Sequence, residues 1–199
     1  MKLTRLSWTL AALLSIGSLP SWGKMMQIDA SQSKVQWLGK KVTGQHTGKI
    51  QIKKGEVDIV GKDLKGGQFE IDMASIVNED LKDAEYNAKL VKHLKSDDFF
   101  GVEKSPVSTF KITSVKVLKD SKEGTHEITG DLTIKGITHP VTFPATVEVK
   151  DKQAVAKGKV IVDRTKYNIR YGSGKFFENL GDKMIEDNFQ LELDLKTQI

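Results

Sequence analysis

Apolar and polar residues alternate one by one through most of this chain, and that period admits strands and little else. Lys34–Leu38 puts Val35 and Trp37 on one face, Gln68–Met73 groups Phe69, Ile71 and Met73, and Asn188–Lys196 aligns Phe189, Leu191, Leu193 and Leu195. Successive side chains of a strand point to opposite faces, so such runs bury one face and wet the other. Gly48–Ile52, Gly55–Val60, Thr109–Leu118, Thr125–Ile134, His139–Lys150 and Gln153–Asp163 continue the pattern. Lys53-Lys54-Gly55, Lys65-Gly66-Gly67 and Lys122-Glu123-Gly124 read as the turns between them. Eight or more consecutive antiparallel strands favour a closed barrel over a sandwich, because closure leaves no exposed sheet edge.

One segment breaks the period. Between Asp83 and Lys95, Tyr86, Leu90 and Leu94 recur every four residues and Val91 widens the stripe, which predicts an amphipathic helix capped at its start by Asp80 or Asp83. A second short helical turn is expected near Lys175–Leu180. The expected fold is therefore an all-β antiparallel barrel carrying one helix, at about 83–95, and a second short one.

The N-terminus has the three parts of a secretory signal: Lys2 and Arg5, an apolar run from Leu6 to Ile16, and small residues at Ser21 and Gly23. A membrane span needs about 20 apolar residues, more than this run supplies. The expectation is a signal peptide over 1–23, cleavage after Gly23, and one barrel domain over 24–199 acting in the periplasm. Cysteine is absent, so neither a lipid-bearing thiol nor a disulfide supports the fold, and the core must hold it alone. The formal net charge is +5, with both signs scattered. That balance aids solubility and favours a transient contact with an anionic membrane face. No basic helix or stripe with interleaved aromatics points to nucleic acid.

Chemistry-bearing motifs are sparse. Gly172-Ser173-Gly174 lacks the flanks of a nucleophile elbow, and no phosphate-cradling Gly-Lys-Thr/Ser motif is present. His46, His93, His126 and His139 share no ligand spacing with one another or with a carboxylate, so no metal site is expected. No catalytic residue and no cofactor is nominated. The inward-facing set is Trp37, Phe69, Ile71, Met73, Phe110, Ile112, Phe143, Val160, Val162 and Leu191. Alternation reads the same whether these side chains fill the barrel or line a hollow in it. Phe99 and Phe100 follow the helix directly, as a mobile lid or a fixed plug over one barrel end. His46, between Gly44 and Gly48, is the polar candidate for a rim. Arg164, Tyr167, Arg170 and Tyr171 form a second polar-aromatic cluster, able to grip a headgroup or simply to make a satisfied turn.

Two segments carry a resemblance: His93-Leu94-Lys95-Ser96-Asp97-Asp98-Phe99-Phe100, and Gly130 through Pro144, read as two strands around a Gly-containing turn. With Ile28 to Trp37, Gly44 to Gly48, Phe69 to Ile76 and Arg164 to Ile169 in the same order, the chain resembles the YceI-like family of periplasmic, lipocalin-like barrels that hold long apolar lipids. The resemblance implies an extended eight-stranded antiparallel barrel whose interior takes a polyisoprenoid, a quinone tail or a similar amphiphile. The reading reached is a non-enzymatic periplasmic carrier for such a lipid, for instance a polyprenyl phosphate, a quinone or a fatty amide. A rival is an enzyme or redox-linked protein acting on a quinone or isoprenoid; a third is a stress-related module with a filled barrel. Monomer and homodimer both remain open.

Overall fold

The computed structural model describes residues 23–150 and 153–198. The expected signal peptide lies outside the described residues except for Gly23. Nine strands form one antiparallel sheet: β1 (Lys24–Gln27), β2 (Lys34–Lys41), β3 (Gly44–Val60), β4 (Asp63–Asn78), β5 (Val107–Val117), β6 (His126–Ile134), β7 (Ile137–Lys150), β8 (Gln153–Asp163) and β9 (Asn188–Lys196). Neighbours run β1-β3-β2-β9-β8-β7-β6-β5-β4, and β4 pairs back onto β3. That last ladder closes eight strands into a barrel, with β1 as the extra strand. β1 lies on β3 beyond the end of β2, with Met26 opposite Val57 and Val35 opposite Ile50. The Asp29 carboxylate holds the break between them by accepting hydrogen bonds from the backbone N–H groups of Ser31 and Gln32. Ile28 bridges Thr197, so this N-terminal edge also meets the end of β9.

Inward faces follow the alternation. Val35 opposes Leu193 and Trp37 opposes Leu191 across β2 and β9, while Phe69 opposes Phe110 across β4 and β5. The outer face carries cross-strand ion pairs such as Lys157–Asp194 and Lys159–Glu192. Such exposed pairs contribute little, about 0–1 kcal/mol each, so the inward side chains carry the stability.

Two of the expected turns are strand instead. Lys53-Lys54-Gly55 lies inside β3, where the register shifts between Ile52 and Lys54; the extra residue makes a bulge that bends the strand rather than ending it. The runs Gly48–Ile52 and Gly55–Val60 are therefore one strand. Lys65-Gly66-Gly67 lies inside β4, and the hairpin falls earlier, at Gly61-Lys62. Lys122-Glu123-Gly124 does sit between strands. The β6–β7 hairpin is a two-residue turn at Lys135 and Gly136, both with positive φ (52° and 74°), the twist that matches flanking strands.

The helix, α1, spans Ala84–Lys95, and Asp83, not Asp80, is its cap, accepting from the N–H groups of Glu85 and Tyr86. No α1 residue is fully buried. Leu90, Val91 and Leu94 are half-buried, but Tyr86, expected on the same stripe, is exposed. The second helical turn is not at 175–180; single 3-10 turns occur at Arg164–Tyr167 and Gly181–Lys183.

Strand directions define two ends. The β2–β3 and β6–β7 hairpins, the α1 segment (79–106) and the segment from Arg164 to Asp187 gather at one, called the upper end. The β3–β4 and β7–β8 hairpins and the β5–β6 loop gather at the lower.

Candidate functional site

The barrel is hollow. Two cavities lie end to end inside it, about 90 Å³ below and about 290 Å³ above. One water needs only about 10–15 Å³, so neither is a packing defect. Val35, Ile71, Leu132 and Leu191 line both, which makes the two one interior with a waist. Below the waist the lining is apolar apart from Lys157 and Thr197. Above it, apolar walls give way to Lys40, Lys41, Gln45, His46, His93, Arg164, Glu186 and Asn188. Lys40, Lys41 and Gln45 are exposed, so the upper cavity reaches the surface beside the β2–β3 hairpin.

Of the inward set, Phe69, Ile71, Phe110, Ile112, Phe143, Val160 and Leu191 line the lower cavity. Trp37, Ile71, Met73, Phe99, Phe100 and Leu191 line the upper one. Val162 faces inward and is 1% exposed, yet it borders neither hollow and serves as packing. The aromatic wall is continuous: the Phe69 and Phe110 rings stack at 6.3 Å, and Phe110 meets Phe143 at 5.8 Å. Gly130 makes room for it. A Cβ there would fall 2.3 Å from Phe110 Cζ, so any side chain would push that ring into the lumen. Trp37 is fixed by its indole N–H donating to the Val77 carbonyl at 3.0 Å.

Over the upper cavity, Leu90, His93 and Leu94 of α1 join Phe99 and Phe100. Phe100 meets Phe189 of β9 edge-on at 6.1 Å, and His93 lies edge-on to both Phe99 (4.9 Å) and Tyr171 (4.6 Å). This helix and its aromatic tail form a cover tied to the barrel by ring contacts.

The polar residues divide by environment. His46 Nδ1 sits 2.8 Å from the Asp80 carboxylate, which also accepts from Thr47 N–H and the Asn78 amide. Burial works to raise the Asp80 carboxyl, but the hydrogen bonds from Thr47, His46 and Asn78 outweigh it and hold it below the ordinary carboxylate value. This knot ties the β2–β3 hairpin to the loop that enters α1. Arg164 lines the upper cavity, but four of its five N–H groups are taken by backbone carbonyls. Its guanidinium donates to the carbonyls of Glu186, Ile169, Tyr171 and Ile185, so it folds the segment 164–187 into a floor. Tyr167 is buried against His139, and burial, with Asp163 adding, pushes its hydroxyl up to about 12. Arg170 stacks over Phe176 at 4.7 Å, and Tyr171 is half-exposed beside α1. None of Tyr167, Arg170 and Tyr171 borders the cavities. Of the cluster only Arg164 reaches the cavity wall, and the buried Tyr167 hydroxyl has no hydrogen-bond partner among the described residues.

Sequence reasoning passed over Ile169, Ile185 and His93. The two isoleucines sit in irregular backbone with no period to reveal them. His93 lies on the Leu90–Leu94 face of α1 and was readable from helical spacing. Among the described residues no cluster of three or more His, Cys, Asp or Glu could hold a metal ion, and no helix is long and apolar enough to cross a membrane.

The profile of the YceI-like domain matches residues 26–197. The chain belongs to the YceI-like family. A UPF0312 protein of Pseudomonas putida is 44% identical over 82 residues, 40% of this chain and 41% of the relative; another from Pseudomonas aeruginosa is 48% identical over 59 residues, 30% of this chain and 29% of its own length. The matches thus span well under half of these curated relatives. Among solved structures, Burkholderia cenocepacia BcnA superposes with a TM-score of 0.62 at 25% identity, covering 86% of this chain and 99% of that one. A polyisoprenoid binding domain from Saccharophagus degradans gives 0.61 at 14% identity, covering 86% and 97%. This YceI-like barrel therefore shares its fold with a protein described as a polyisoprenoid binder.

Proposed function

We propose that this YceI-like protein is a periplasmic carrier that holds a long-chain isoprenoid, or an amphiphile of similar shape, with its tail below the waist and its polar end at the upper mouth. The observation that carries the reading is the continuous interior, lined by hydrocarbon below and edged by Lys40, Lys41, Gln45 and His46 above. The lining from Phe189 along β9 to Thr197 just past its end runs about 26 Å at a rise of ~3.3 Å per residue. That length suits a chain, not a compact solute. Each buried methylene contributes about 0.8 kcal/mol, so ten give about 8 kcal/mol before the cost of ordering the chain. Binding of that strength needs no polar clamp, which agrees with Arg164 spending four of its N–H groups on backbone carbonyls.

The fold shared with a polyisoprenoid binding domain and the apolar lining favour a binding protein rather than an enzyme. Residues 1–23 are proposed as the export signal that brings it to the periplasm. Native mass spectrometry of the purified protein, followed by organic extraction, tests the reading. A retained prenyl or acyl chain is expected, with a mature N-terminus at or near Lys24. Protein that carries no lipid and takes none up from detergent-dispersed polyprenyl ligands would overturn it.

A further inference from the structure

The upper mouth is also where the surface turns apolar. Five of the ten large apolar side chains exposed among the described residues, Val42, Tyr171, Phe176, Phe177 and Met184, belong to the β2–β3 hairpin tip and the segment 170–186. The two segments are joined: Val42 N–H donates to the Met184 carbonyl at 3.1 Å, Glu186 N–H donates to the Lys40 carbonyl at 2.9 Å, and Lys41 bridges Ile185. They present one patch. Val42 is 56% and Phe177 49% exposed, and the other five, Met25, Val77, Tyr86, Val117 and Ile161, lie on separate elements. Scattered exposed apolar residues need no explanation, but a cluster beside an opening does.

Charge accompanies the patch. Lys40 and Lys41 directly precede Val42 and border the cavity mouth, and Arg170 lies over the Phe176 ring. Lys175 is engaged with Asp163 and Asp187, and Lys183 shares its segment with Glu178, Asp182 and Glu186, which outnumber it. The positive character therefore comes from the hairpin and Arg170. Aromatic rings beside basic side chains are the composition that seats a surface in the headgroup region of an anionic bilayer.

We infer that this rim docks on an anionic membrane leaflet, with Val42, Phe176 and Phe177 inserted among the headgroups and Lys40 and Lys41 over the charge, so that the mouth opens directly onto the lipid. The inference rests on the carrier reading and supplies its partner. A chain of ten methylenes enters water about a million-fold less readily than an apolar phase, so exchange through solvent is slow and contact removes the barrier. The same patch set against a second copy of the chain is the competing arrangement.

Sedimentation with vesicles decides between them. Protein purified in the form the cell processes it to, its N-terminus verified, is mixed with phosphatidylethanolamine vesicles with or without phosphatidylglycerol. The vesicles contain no isoprenoid, so docking is read whether or not cargo is present, and cargo content by extraction is read separately. Binding at least ~tenfold stronger to the anionic vesicles is expected. Phe176→Ser/Phe177→Ser should lower it at least ~tenfold while retained cargo and the thermal midpoint stay unchanged. Val42→Ser, on the other segment, should weaken it in the same direction. Lys40→Glu/Lys41→Glu should abolish the preference for anionic lipid. Undiminished vesicle binding by both apolar variants would overturn the inference. So would a wild-type dimer that the phenylalanine variant converts to monomer without change in vesicle binding, which would assign the face to a second copy.

Discussion

His126 is the residue whose charge state the fold constrains most visibly in the neutral range. It is buried at the lower barrel end beside Thr125 Oγ1, 2.7 Å away, and burial holds its pKa below the ordinary value of 6.5, with Asp63 opposing weakly. The unfolded chain takes up this proton near pH 6.5 and the folded chain resists, so unfolding binds protons. Stability is then full above about 6.5 and falls as pH drops from there towards the lowered value, by at most ~1.4 kcal/mol per unit. Asp80 and Asp163 are held below 3.8, so their contribution is lost only in stronger acid. The thermal midpoint of the wild type should fall between pH 7.5 and 5.5, both about one unit from 6.5, and His126→Gln should flatten that fall. An equal drop in the variant would place the effect elsewhere. Gly130 is the second telling residue. Its place under the Phe110 ring could not be read from alternation, which records faces but not clearances. Gly130→Val should cost about 1–3 kcal/mol by overpacking, measured by denaturant titration, and should shorten the longest chain retained by driving Phe110 inward.

Among the elements, α1 differs from every strand. A strand face meets the lumen along its whole length, whereas α1 buries no residue completely and leans on the barrel through Leu90 and Leu94, with Phe99 and Phe100 following it. Helical spacing gave its limits and the cavity-facing Leu90 and Leu94, but neither His93 nor the exposure of Tyr86, because a four-residue stripe outruns the area of barrel beneath it. An element with so little buried surface opens at lower free energy than the strands around it. Hydrogen exchange should therefore proceed faster in α1 than in β5–β8, and faster again once bound lipid is extracted. Asp83→Ala removes two hydrogen bonds at the first turn and should weaken the helix by about 0.5–2 kcal/mol, raising α1 exchange several-fold and leaving the barrel ladders alone. Uniform acceleration would mean that α1 unfolds only with the whole molecule and acts as a plug.

For the whole molecule, alternation settled that β2 and β4–β9 are strands with one wet face, since each must satisfy that condition locally. It did not settle hollow against filled, because both put the same residues inward. It also missed the bulges of β3 and β4, where glycines that resemble turns relieve the curvature of a closed sheet. Ile71 stands at the waist shared by both cavities, and Ile71→Trp tests whether the lipid runs through it. The ring occupies free volume, so retained lipid should fall sharply while the thermal midpoint holds; unchanged lipid with a loss of about 1–3 kcal/mol of stability would mean that the side chain meets packed core instead. Dialysis against a strong chelator should change neither lipid content nor midpoint, and a loss of either would point to a metal site centred on His46 or His139.

The seam of the barrel has a consequence in time. β2 hydrogen-bonds β9, Lys34 with Asp194 and Leu38 with Gln190, so a strand among the first to be synthesised pairs with the last. Until β9 arrives, β2 and β8 are open edges, and closure must bring together two ends of the chain that nothing local holds near each other. Assembly of this barrel waits on its C-terminal strand, and a chain interrupted before Asn188 is left as a curled sheet with two sticky borders.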